Sequence, residues 1–179
     1  MINKYFNVIV PNYIGIKNEV DLEIENISKE TIKNFEDLID KFEIASAIQE
    51  IWNYISRTNK YIDETAPWIL AKNDDDLDKL KSCIYHLVAN LREIAILIRP
   101  FMEETSDEIL KQLGINNDIS WESLKDYKNL TNLKVIDKGN PIFMKMCIRD
   151  RCIFLLCVLL IYYFLHHFLI IRTYHIPIT

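Results

Sequence analysis

The sequence predicts an all-α fold, an antiparallel helix bundle, and three observations carry that expectation. Its 179 residues include only three glycines and five prolines, too few turn-formers for a many-stranded fold. Apolar residues recur at three- and four-residue intervals over long stretches, the period of a helix with one buried side. The breaks between those stretches are short, as the links of an up-down bundle are. A chain of this length is one domain by prior and can bury a real core.

Met1 to Phe6 reads as the last turn of a helix, and Val8 to Ile16, with Pro11 and Gly15, as an extended connection. A first long helix starts between Asp21 and Ser28 and runs to about Lys41. Ile24, Ile27, Phe35, Leu38, Ile39 and Phe42 fall on one side of it. A second carries Ile44, Ile48, Ile51, Ile55 and Ile62 as its stripe, with Glu43, Glu50, Arg57 and Lys60 off it. An acidic loop, Asn73 to Asp76, then supplies an N-cap in Asn73 or Asp74 and negative charge for the positive end of a third helix. Leu77, Leu80, Ile84, Leu87, Leu91 and Ile98 form the buried side of that helix. Pro100 opens a fourth, which ends at Gly114, a natural left-handed cap. Ser120 to Lys125 make one short turn that lays Trp121 over the bundle. The expected division is a helix remnant and connection at 1–19, a bundle at 20–126, a C-terminal connection at 127–146 and an apolar tail at 147–179.

Charge and composition exclude several functions. Residues 1–146 hold 18 Lys and Arg against 25 Asp and Glu, while the tail holds three arginines and one aspartate. An acidic body argues against sequence-blind nucleic-acid binding through clustered cations, so any RNA contact is local. Cys83 sits in a helical apolar stripe as a reduced, buried thiol. Cys147, Cys152 and Cys157 accompany no zinc-ligand pattern. Glu103, Glu104, Asp107 and Glu108 read as a solvated helix face, and Asp74 to Asp76 lack the glycine and spacing of a calcium loop. His86 is expected near the bundle surface, without a nucleophile partner. No catalytic set, no metal site and no cofactor site is expected in this chain. Residues 1–16 lack the basic start of a secretory signal, which points to a cytoplasmic, reducing setting.

The run Asn59 to Lys72, N-K-Y-I-D-E-T-A-P-W-I-L-A-K, is the most informative segment. Pro67 stops or tightens the helix before it, so Trp68 is offered at a helix end. Lys72 lies four residues on, and Asn59 and Asp63 lie two turns and one turn upstream of Pro67. An aromatic face beside a cation and hydrogen-bonding side chains is how proteins hold unpaired bases. A core tryptophan packing the helix junction is the competing reading.

The same run is similar to the anticodon-binding domain of methionyl-tRNA synthetases, a class I aminoacyl-tRNA synthetase family. K-F-E-I-A-S-A-I-Q-E-I-W at Lys41 to Trp52, R-P-F at Arg99 to Phe101 and G-N-P-I-F at Gly139 to Phe143 add weaker support, and the resemblance covers about residues 1–146. It implies that Trp68 stacks on the first anticodon base, that Pro67 shares that surface, and that Asp63 and Asn59 shape or hold the site. Lys72 matches a lysine close to the bound anticodon, as a phosphate contact. The implied partners are initiator and elongator methionine tRNAs with a CAU anticodon, and the catalytic domain of a parent ligase that uses ATP and Mg. The family's asparagine and arginine on the preceding helix would lie upstream of Met1. Nothing here matches its HIGH-type or KMSKS-type signatures, so the chain reads as a fragment that is not itself catalytic.

The tail keeps other readings open. Ile153 to Ile171 is long and apolar enough to be a transmembrane helix, broken only by His166 and His167. The junction M-C-I-R-D-R at Met146 to Arg151 resembles a translated sequencing-adapter run, which makes the tail a spurious translation. The alternatives are therefore a membrane-anchored helical interaction protein, an anticodon bundle of another class I synthetase, or a soluble bundle that binds proteins through Trp52, Trp121 or exposed apolar strips.

Overall fold

The computed structural model describes residues 2–116, 119–128, 130, 133–136, 139 and 142. The expectations for the tail, including the membrane span, three cysteines and the histidine pair, lie outside them. In chain order the elements are α1 (Ile2–Tyr5), α2 (Glu19–Asp40), α3 (Ile44–Thr65), α4 (Pro67–Leu70), a 3₁₀ turn (Asp74–Asp76), α5 (Leu77–Ile98), α6 (Glu103–Leu113) and a second 3₁₀ turn (Trp121–Lys125). The fold among these residues is helical. Its one β-bridge joins Ile9 to Lys134. None of these helices is long and apolar enough to cross a membrane.

α2 begins earlier than predicted because Asn18 caps it: its Oδ1 accepts the Asp21 N–H at 2.7 Å. It ends at Asp40, and Phe42, expected on its apolar side, takes a positive φ of 60° and stands 88% exposed. A left-handed residue breaks the helical advance, so the stripe does not extend to it. α3 returns against α2 and buries Ala47, Ile51, Tyr54, Ile55, Thr58 and Tyr61. The predicted cap at Asn73 or Asp74 starts only the 3₁₀ turn. α5 follows from Asp76, with no side-chain cap bond.

α5 departs most from its predicted single stripe. Every residue from Ser82 to Ile98 is buried, while Leu77 is 44% exposed. The helix lies in the middle of the molecule and touches α2, α3, α4, α6 and both 3₁₀ turns. Enclosure on all sides leaves no solvent face, so His86 is fully buried and not at the surface. Pro100 does not open α6. It sits in a turn where the Phe101 and Met102 N–H groups both reach the Ile98 carbonyl at 2.9 Å, and α6 starts at Glu103. Gly114 ends α6 with φ +76°, as predicted, and Trp121 lies over Phe35 with ring centroids 5.5 Å apart.

A polar layer runs through this apolar core. Asp21 accepts from the Tyr61 hydroxyl (2.6 Å), the Ser82 hydroxyl (2.7 Å) and the Lys17 N–H (3.0 Å). Glu25 Oε1 accepts from Tyr13 (2.7 Å) and meets His86 Nε2 at 3.1 Å. His86 Nδ1 faces the Ser82 carbonyl at 2.7 Å and donates to it. Glu93 Oε2 accepts from Ser28 (2.7 Å) and Tyr54 (2.6 Å), while its Oε1 is bare. These bonds tie α2, α3 and α5 in a fixed register, because an unpaired buried partner costs about 1–3 kcal/mol.

The two extended limbs complete the core. The Val10 N–H donates to Leu133 (2.8 Å) and the Val135 N–H to Val8 (2.9 Å), which buries Val10 and Val135.

Candidate nucleic-acid interface

The segment that presents Trp68 is built by a backbone conflict. Pro67 removes an N–H and crowds the residue before it, so α3 cannot continue. Ala66 resolves this by turning left-handed, φ 42° and ψ 59°. Its N–H still closes α3 on the Ile62 carbonyl at 2.9 Å, and its own carbonyl accepts from Ile69 at 2.7 Å to start α4. Pro67 then occupies the first helical position, where its fixed φ suits the helix. The result is a one-turn helix that packs on α5.

On that helix Trp68 is 37% exposed and Ile69 53% exposed. Pro67 is buried, so it anchors the turn and does not offer its ring to solvent, unlike the shared surface that the resemblance implied. Asp63 is exposed and Asn59 half-buried, one turn apart on the same side of α3. Lys72 is exposed just beyond α4. The side chains of Asn59, Asp63, Trp68 and Lys72 form no hydrogen bond or ion pair with another described residue. Their donors and acceptors face no internal competitor.

The nearby charges are otherwise engaged. Arg57 bridges Glu23 (2.9 Å) and Glu64 (3.1 Å), and Lys60 reaches Glu64 at 3.3 Å. The Arg57 hydrogen bond holds the Glu23 carboxyl below its usual range. Among the described residues these two cations are thus matched by carboxylates, in keeping with the acidic composition.

Sequence reasoning missed the anchoring of this end. Tyr61 bonds Asp21, and the Thr65 hydroxyl donates to the Tyr61 carbonyl (2.7 Å) and meets Cys83 Sγ at 3.2 Å. Burial pushes the Cys83 thiol up to about 12, so it is a packing group and not a nucleophile. The available signal was polar residues, Thr58 and Tyr61, standing at stripe positions among isoleucines.

The described residues define a helical bundle with an exposed aromatic at a helix end, and comparison with known proteins gives its family. In solved structures the fold matches Mycobacterium tuberculosis methionyl-tRNA synthetase in its free state, with a TM-score of 0.74 and 23% identity over 82% of this chain and 30% of that one. The family described as the anticodon binding domain of methionyl tRNA ligase matches residues 10–150. The chain belongs to that family. It is 43% identical over 152 residues to a methionine–tRNA ligase of Lactococcus lactis, and 40% identical over 148 residues to one of Bacillus subtilis. It spans 84% and 82% of itself in these matches, but 23% and 22% of the relatives' length.

Proposed function

We propose that this chain is the tRNA-reading part of a methionine–tRNA ligase, holding the CAU anticodon of initiator and elongator methionine tRNAs. The exposed Trp68, fixed at the end of α3 in a chain of this family, carries the reading. Its indole stacks on an anticodon base, which supplies about 1–3 kcal/mol. Asn59 and Asp63 offer an amide and a carboxylate to base edges, and Lys72 neutralises a phosphate. Pro67 contributes by fixing the turn beneath them. A catalytic domain of the parent, in the cytoplasm, performs the ligation with ATP and Mg. Among the described residues no group of His, Cys, Asp and Glu is arranged to hold a metal ion.

The test is titration of this chain with a CAU anticodon stem-loop and with a loop of another sequence. Binding is expected to be weak, to prefer CAU and to quench Trp68 fluorescence. Trp68→Ala is expected to weaken it about ten-fold or more. Equal binding by the substituted chain would falsify the assigned site.

A further inference from the structure

We infer that Ala66 is a positioning residue for anticodon binding, because its left-handed backbone and its methyl group together fix the direction in which Trp68 is presented. This rests on the reading of Trp68 given above. The position is the shared cap of two helices: Ala66 closes α3 and opens α4. Glycine is the usual residue at such a left-handed cap, because it reaches positive φ without steric cost. Here the sequence places alanine, directly before a proline that further narrows its choices.

Both flanks are held while the joint is one residue wide. Upstream, Tyr61 is tied to Asp21 and Thr65 to the Tyr61 carbonyl and Cys83. Downstream, Pro67 is buried and α4 packs on α5. The swing of Trp68 against α3 therefore depends on the torsions of residue 66. A Cβ there restricts those torsions, where glycine would populate positive and negative φ alike. Restriction before binding lowers the ordering cost of binding. Fold stability and RNA affinity thus respond to residue 66 in opposite directions.

Ala66→Gly and Ala66→Asn separate the two effects. Asparagine tolerates the left-handed region yet keeps a Cβ. The full chain is titrated with CAU stem-loop RNA, and thermal melting is followed in parallel. In 5-fluorotryptophan-labelled protein, the fluorine relaxation of Trp68 is read without RNA. Ala66→Gly is expected to melt at or above the parent temperature, to relax faster at Trp68 and to bind about three- to ten-fold more weakly. Ala66→Asn is expected to keep the parent's affinity and relaxation. Parent-like affinity and relaxation in Ala66→Gly would overturn the inference. So would equal weakening by both substitutions. Loss of affinity in Trp68→Ala with none in Ala66→Gly leaves the RNA site standing and removes only the role of Ala66. Unchanged binding in Trp68→Ala removes the site and this inference with it.

Discussion

The two ends of α3 solve the same problem with different results. At its start, the link from α2 passes through Phe42; at its finish, the link to α4 passes through Ala66, and both residues are left-handed without being glycine. Phe42 spends its aromatic ring on the left-handed position itself and projects into solvent, 88% exposed. Ala66 keeps that position small and passes the aromatic on to Trp68, two residues later on a helix that packs against α5. Glu43, which follows Phe42, makes no side-chain cap bond, whereas Pro67, which follows Ala66, is buried. An exposed aromatic beside a left-handed turn is therefore not enough to make a stacking platform. The neighbours must also fix its direction.

The comparison breaks most sharply at the buried polar layer beneath the Trp68 end. Asp21→Ala leaves the Tyr61 and Ser82 hydroxyls and the Lys17 N–H without their acceptor. A loss of about 3–5 kcal/mol in urea denaturation is expected, whereas Phe42→Ala at the opposite end is expected to leave stability within about 0.5 kcal/mol. Midway along the bundle, burial pushes the Glu93 carboxyl from 4.5 up to about 7. Folding then takes up a proton between those values. Its contribution is complete below the unfolded pKa and is lost as pH rises through the folded one, by about 3 kcal/mol in all. Glu93→Gln is expected to flatten the fall in melting temperature between about pH 5 and pH 8, and an unchanged slope would remove Glu93 as its source.

Gly114 sharpens the contrast as a third left-handed helix end. A Cβ there would meet the Lys134 carbonyl, and the native φ is +76°. Gly114→Ala is expected to cost about 2–3 kcal/mol in the same denaturation assay, where Ala66 carries a methyl without such a clash. The smallest effect belongs to Phe42→Gly. Relief of the left-handed side chain is expected to raise stability by up to about 1 kcal/mol, with CAU stem-loop affinity unchanged. A loss of affinity there would place RNA contacts at both ends of α3.

What the sequence disclosed followed the range of each interaction. α3 and the exposure of Trp68 were legible because isoleucine spacing and Pro67 act within a few residues. The end of α6 was legible because Gly114 is a local signal. The Asp21–Tyr61 bond was not, since its partners lie 40 positions apart and the stripe position of Tyr61 says that it is buried but not which group its hydroxyl meets. α5 looked one-sided because its polar members, among them Ser82, His86, Asn90 and Glu93, occupy positions that usually face water. Only the elements packed around it reveal that they are paired inside. Pro100 misled for a related reason: a proline favours a first helical turn, yet two N–H groups after it are captured by the Ile98 carbonyl, and α6 starts later. For Asn59, Asp63 and Lys72 the sequence supplied positions, and the structure adds that their side chains carry no internal partner among the described residues.

The pairing of Val8 to Val10 with Leu133 to Val135 gives the domain a schedule during its own synthesis. The first limb of that clasp is made before the helices that follow it, while its partner is made only after α2 to α6. Until then Val10 has no cover and the end of α6 has no strand over Gly114. A nascent chain stopped at Ile115 therefore carries α2 to α6 and an unfinished core, and it offers chaperones an apolar seam along the side where the two limbs later meet.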